Sequence, residues 1–309
     1  MGHIDLNYMK RLITISLGII TSLIAFGQAK SLDFTFGKFD SISVDNGFEV
    51  TIMKGSENKV NLQVEAPYAQ FVTAGVNGST LDIKVDEKSV PADVKKQYKG
   101  KTPVFTATIT MKEPLCALTL KGSSVLASGQ TFVNDGNNIT ITVSDNAKVD
   151  GLKVMSKSLE LKLDKKGTAI VDFTGEKVVA TTSGGSNLDL TRVAKIDNFT
   201  VEGSSDFVVR GETEEVTLTS KGNSKSVLNG KSTSAAYTVG GTSNVNAINM
   251  ENRLTSVAMN GLCTVTEAAT DSLKVNLSAG SKLVFNNDPT FIIENVKASS
   301  IVKYSSKEK

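Results

Sequence analysis

From about residue 116 onward the chain alternates apolar and polar positions in short bursts, and each burst is followed by a cluster of small residues. The stretches "LTL" at 118–120, "ITITV" at 139–143, "LELKL" at 159–163 and "LKVNL" at 273–277 each predict a short strand with one buried face. In "VEGSSDFVVRG", residues 201–211, Val201, Gly203, Ser205 and Phe207 occupy alternate positions, with small residues where a strand usually carries bulk. Taking Val201 as an anchor, the pattern is apolar at 0, small at +2, small at +4 and apolar at +6. It recurs at Leu120, Val143, Leu163, Thr182, Val201, Ser220, Val239, Met259, Leu277 and Val296, spaced 18 to 23 residues apart and most often 19.

The columns this alignment creates are not random. Glycine holds +2 at positions 122, 184, 203, 222, 241 and 261, and the +4 column is small throughout. Its serines are Ser124, Ser186, Ser205, Ser224, Ser243, Ser281 and Ser300; Ala147, Gly167 and Cys263 complete it. A period near 19 is too short for a propeller blade and carries no helix for an ankyrin or leucine-rich unit. The fold class predicted is all-β: a single-chain parallel β-helix, or β-solenoid, in which each period is one rung and equivalent positions stack into columns. A β-sandwich with coincidental spacing is the alternative. Glycine and serine then mark a tight corner, where backbone angles closed to other residues are needed and opposing walls approach. Ten rungs on a spacing of about 4.8 Å span roughly 45 Å.

Residues 28–115 are β-rich but follow the period less cleanly. In "FDSISVDNGFEVTIMKG" the residues Asp45-Asn46-Gly47 read as a turn between two strands, "NKVNLQVEA" and "STLDIKVDE" as further strands, and "PYAQFV" as a helical turn. The polar stretch "KSVPADVKKQYKGKTP" reads as a loop or boundary. The predicted organisation is a signal peptide at 1–27, an N-terminal β region at 28–115 that starts and caps the solenoid, and solenoid repeats at 116–309. The C-terminal stretch from Phe285 would cap the other end. The leader rests on Lys10 and Arg11 before an apolar run from Leu12 to Phe26, then small residues Gly27 and Ala29. That run falls short of the roughly 20 residues a spanning helix needs, so cleavage is favoured over a membrane anchor and the mature chain is expected to be exported without a membrane span.

Charge and missing residue types narrow the chemistry. The 34 basic and 32 acidic residues give no electrostatic bias toward nucleic acid or acidic lipid. The only histidine, His3, precedes the expected cleavage site, which removes histidine triads, bases and metal ligands from the mature chain. There is no tryptophan to stack against a sugar. Two cysteines in an exported chain invite a disulfide. Cys116 and Cys263, however, fall on the first and eighth repeats, about 30 Å apart by rung stacking, whereas a bridge needs Cα atoms within about 7 Å. Two unbridged, largely buried thiols are expected.

The succession "FDSISVDNGFEVTIMKGSENKVNLQVEA", "STLDIKVDE", "LTLKGSS" and "TVEGSSDF" resembles the auto-transporter adhesin head domain, the GIN domain, of exported Bacteroidetes proteins. The resemblance runs from about residue 36 to about 290. It implies a right-handed β-helix, a cell-surface, outer-membrane-associated or periplasmic location, and an adhesin-type role with a glycan or protein ligand. It implies no catalytic, cofactor-binding or metal-binding residue. Two other readings stand beside a non-enzymatic binding module. A polysaccharide-active lyase or hydrolase would need paired carboxylates; Glu251 and Asp271 share a repeat offset, with Arg253 close by. A structural envelope protein would use the exposed sheet edges at the solenoid ends.

Overall fold

In the computed structural model, which describes residues 29–304, the repeats stack as rungs of a parallel β-solenoid. The expected signal peptide and residues 305–309 lie outside the described residues. Each anchor pairs in register with the next, from Leu120 with Val143 to Leu277 with Val296. The +6 positions do the same from Leu126 through Val149, Ala169, Leu188, Phe207, Ser226, Val245 and Val265 to Leu283.

Each rung has a first wall that ends at the anchor, a tight corner, and a second wall that begins after it. The strands lengthen toward the C-terminal half, where Lys225–Gly241 and Asn244–Gly261 each bend from the second wall of one rung into the first wall of the next. Alternation follows from the pleat: successive side chains point to opposite faces, so residues such as Leu159, Leu161 and Leu163 are buried while their neighbours face outward. The inner faces of both walls merge into one apolar column along the axis. Each fully buried Val, Leu or Phe contributes about 1.5–3 kcal/mol relative to exposure.

The N-terminal third joins the same stack, but out of chain order. Ser41–Val44 and Phe48–Lys54 form a rung directly against the first repeat, Val44 pairing with Leu120 and Val50 with Leu126. The strands that follow later in the chain, Thr80–Val85 and Phe105–Met111, pair in parallel with the opposite edge of that rung. Antiparallel strands then cover this end: Val72–Asn77 lies on Thr80–Val85, and Lys59–Glu65 lies between Phe105–Met111 and Ala29–Thr35. The expected helical turn is a 3-10 segment at Ala66–Phe71. The stretch read as a loop contains a short helix, Ala92–Gln97, whose following Tyr98 packs edge-on against Tyr68.

The C-terminal stretch forms the last rung itself, with strands Thr290–Val296 and Ser300–Lys303. Among the described residues no strand covers it, and Ile292, Ile293, Val302 and Tyr304 are exposed there.

Candidate functional site

The repeated corner holds four residues between the anchor and the next strand. At its second position all ten residues adopt positive φ: the six glycines and also Asp145, Lys165, Ala279 and Ala298. Glycine prevails because rungs stack backbone on backbone there. A Cβ on Gly241 would lie 2.5 Å from the carbonyl oxygen of Gly222, in addition to the strain of φ +71. The fourth position points inward: Ser124, Ser186, Ser205, Ser224, Ser243 and Ser281 are at most 1% exposed. Their hydroxyls find partners along the stack. Ser224 Oγ donates to Ser243 Oγ at 3.1 Å, and Ser205 Oγ accepts the Ser186 amide at 3.3 Å. Ser300 lies outside this column, because the last corner is one residue shorter; Ser299 takes the place and receives the Ser281 hydroxyl at 3.0 Å. The six buried serines therefore lie in the corner between rungs, with their hydroxyls away from solvent.

A second corner carries another polar set that the repeat alignment did not mark. Asn134, Ser156, Thr213, Ser232 and Asn252 are buried where the second wall bends into the next rung. Ser156, Thr213 and Ser232 each donate to the carbonyl two residues on, of Ser158, Glu215 and Ser234. Ser232 also donates to Asn252 Oδ1 at 2.7 Å, and Asn252 Nδ2 donates to the Tyr237 hydroxyl at 2.9 Å. Their offsets from the anchors vary between 12 and 14 residues, which blurs the column in sequence.

Charged residues also lie in the interior. Arg192, Asp197 and Glu267 are 1%, 1% and 0% exposed. Arg192 Nε donates to Asp197 Oδ2 at 2.5 Å. Desolvation holds the Asp197 carboxyl above its ordinary range despite the opposing pull of Arg192 and Thr213. Burial pushes Glu267 up to about 7, against smaller lowering contributions from the Ala269 amide and the Thr255 hydroxyl. Alternation counted from the anchors does point these residues inward: Asp197 precedes Phe199 and Val201 in phase, Arg192 follows Leu188 and Leu190, and Glu267 follows Val265.

The acidic pair considered for glycan cleavage is not assembled. Glu251 stands opposite Ala268, because the register shifts on both sides of it, and Asp271 falls three residues further along. Asp271 pairs with Arg253 at 3.2 Å and Glu251 with Lys231 at 3.8 Å, and all four side chains are more than half exposed. Among the described residues no group of three or more His, Cys, Asp or Glu side chains is placed to hold a metal ion.

The outer surface of the first wall presents a regular array instead. Thr181, Thr200, Thr219 and Thr238 pair in register on four successive rungs, and the same outward column runs through Ser43, Thr119, Thr142 and Lys162 before them and Ala258, Asn276 and Asn295 after them. Rungs repeat every ~4.8 Å, so the threonines recur on about that interval along the stack. At the C-terminal end of the column an open groove is lined by Lys221, Thr238, Gly240, Asn260, Asn276 and Ser278. The groove is open and mostly apolar, with Ala258 and Met259 also in its lining, and its polar side chains offer both donors and acceptors.

The two thiols are unbridged. Cys263 fills a fourth corner position and is buried, which raises its pKa, while Cys116 is only half-buried, beside Asn134. Among the described residues no helix is long and apolar enough to cross a membrane.

Comparison with known proteins gives a family. The model described as "Putative auto-transporter adhesin, head GIN domain" matches residues 38–201 and 178–289. None of the curated proteins matches the chain. Among solved structures, a putative adhesin from Parabacteroides distasonis shares 16% identity and a TM-score of 0.48, covering 90% of this chain and 98% of that one. A putative adhesin from Parabacteroides merdae shares 14% identity and a TM-score of 0.45, covering 90% and 97%. A putative lipid binding protein from Parabacteroides distasonis also shares 14% and 0.45, covering 90% and 98%. These likenesses are too low to assign a property to this chain.

Proposed function

The chain belongs to the GIN-domain family of auto-transporter adhesin heads, and from that premise we propose that it is an exported, non-enzymatic binding module that engages a glycan or protein at the cell surface along one face of its solenoid. The observation that carries this reading is the in-register outward column Thr181, Thr200, Thr219 and Thr238. A rigid line of hydroxyls on a regular spacing suits an extended, repetitive ligand, because weak contacts repeated along one molecule add through multivalency. Threonine both donates and accepts, as sugar hydroxyls and peptide groups do. The organisation proposed with it is a cleaved leader at 1–27, an N-terminal β region at 28–115 and binding repeats at 116–309.

The non-enzymatic part rests on the exposed, cation-paired state of Glu251 and Asp271. Screening the purified chain on arrays of glycans and surface proteins tests the reading. Binding is expected to an extended polymer and to weaken at least tenfold in the Thr200→Lys, Thr219→Lys double variant. Equal binding by that variant would move the site elsewhere. Release of reducing ends or unsaturated products from any polysaccharide would replace the binding module with an enzyme.

A further inference from the structure

Three charged side chains inside the solenoid lack enough protein partners. Arg192 is bonded through Nε alone, which leaves Nη1 and Nη2 without a partner, and Asp197 Oδ1 and both Glu267 carboxyl oxygens make no hydrogen bond of ordinary geometry, although Thr213, Thr255 and the Ala269 amide lie close enough to favour the ionised carboxylates. A guanidinium keeps its charge at all accessible pH and carries four N–H donors on those two terminal nitrogens. Leaving such groups dry and unpaired costs several kcal/mol, and proteins fill such places with ordered water that makes about three hydrogen bonds per molecule.

The surrounding columns provide room. Arg192 pairs in register with Gly211, which pairs with Gly230, so the next two rungs carry no side chain in the guanidinium's column before the buried Met250 on the third. A Cβ on Gly211 would lie 3.2 Å from Arg192 Nη1, which sets the terminal nitrogen over that glycine. Alanines stand on two other columns: Ala235 lies between Val216 and Thr255 in the line that passes through Val178 and Asp197, and Ala247 stands next to Glu267. Tyr237 lies within electrostatic reach of both Arg192 and Glu267. Its oxygen accepts from Asn252, so its own O–H remains to donate.

We propose that the middle rungs enclose ordered water molecules that bridge the Arg192 guanidinium to the Glu267 carboxyl past the Tyr237 hydroxyl, forming one internal hydrated site with Asp197 and Thr255. The charges select the occupant. Arg192 is balanced by Asp197, and Glu267 adds a carboxyl, so the site has no surplus positive charge to hold an anion. It needs a neutral molecule that accepts from the guanidinium and Tyr237 and donates to the carboxyls, and water does both.

A crystal structure of the wild-type chain, at a resolution that shows ordered water, tests this. Water is expected within hydrogen-bond distance of Arg192 Nη1 or Nη2 and of a Glu267 carboxyl oxygen, with the chain between them completed through water or Tyr237. The Glu267→Gln variant, which keeps size and hydrogen-bonding capacity, is expected to retain the water at Arg192. A direct Arg192–Glu267 contact, an ion bound at the guanidinium, or a dry interior in the wild type would overturn the proposal.

Discussion

Ser224 and Ser243 stand 19 residues apart in the chain and 3.1 Å apart between hydroxyl oxygens, both buried in the same corner of successive rungs. One repeat of sequence is therefore one step of the stack. The contact explains why the column admits only small side chains: a larger one would displace the neighbouring rung's backbone as well as its own.

That geometry gives the first prediction. Gly241→Val places a β-branched side chain at φ +71, with its Cβ 2.5 Å from the Gly222 carbonyl oxygen, so it is expected to destabilise by more than about 2 kcal/mol. Gly78→Ala, at φ +61 with no neighbour within 4 Å, is expected to cost only about 1 kcal/mol. Urea unfolding midpoints of the two variants check the contrast.

The serine ladder gives the second. Ser224→Leu forces bulk into a position 1% exposed, and overpacking of this kind costs about 1–3 kcal/mol. Ser224→Ala removes hydrogen bonds to Ser220 and Ser243 but leaves the backbone stack in place, for a cost of about 1 kcal/mol. A smaller loss in the leucine variant than in the alanine variant, measured by thermal unfolding, would show that the column is not closely packed.

Glu267 makes stability depend on pH near neutrality. Its carboxyl titrates at about 7 in the folded chain and near 4.5 when unfolded, so the folded state holds the proton more tightly. Stability is therefore highest below the unfolded value, falls as pH rises from about 4.5 to about 7, and levels off above it, by an amount on the order of 3 kcal/mol. The groups that act on it are the Ala269 amide and the Thr255 hydroxyl, and its charge in turn raises the Tyr237 hydroxyl; Asp197, also raised by burial, adds a loss of the same sign that begins at lower pH. Glu267→Gln is expected to flatten the profile of unfolding midpoint against pH between 5 and 7. A wild-type profile that rises through that window would contradict the assignment.

The thiols give a chemical check on the register. Two free thiols per chain are expected on titration of denatured, unreduced protein, and in the native state Cys116 is expected to react ahead of the buried Cys263. No titratable thiol in the denatured chain would require a bridge that the rung stacking forbids.

The first corner was legible in the sequence because two independent demands, a left-handed residue at +2 and a small inward side chain at +4, fall at fixed distances from the anchor. The second corner was not, since Asn134, Ser156 and Thr213 lie at different offsets and satisfy backbone groups that no residue pattern encodes. The rung formed by residues 41–54 follows the corner pattern at Val44 and Asn46, yet its place between strands 80–111 and 117–127 is set by long-range pairing, which local alternation does not carry. Arg192, Asp197 and Glu267 show the limit of reading by residue type. Their phase points inward while their chemistry suggests the surface, and the space beside Gly211 and Gly230 becomes visible only once the rungs are stacked.

The most direct test of the functional account is proteinase treatment of intact cells producing a tagged chain, with lysed cells as the control. Loss of the tag from intact cells is the predicted result, because a surface binding module must face outward. Survival of the tag until lysis would contradict an adhesin role and turn the Thr181–Thr238 face toward a partner inside the envelope.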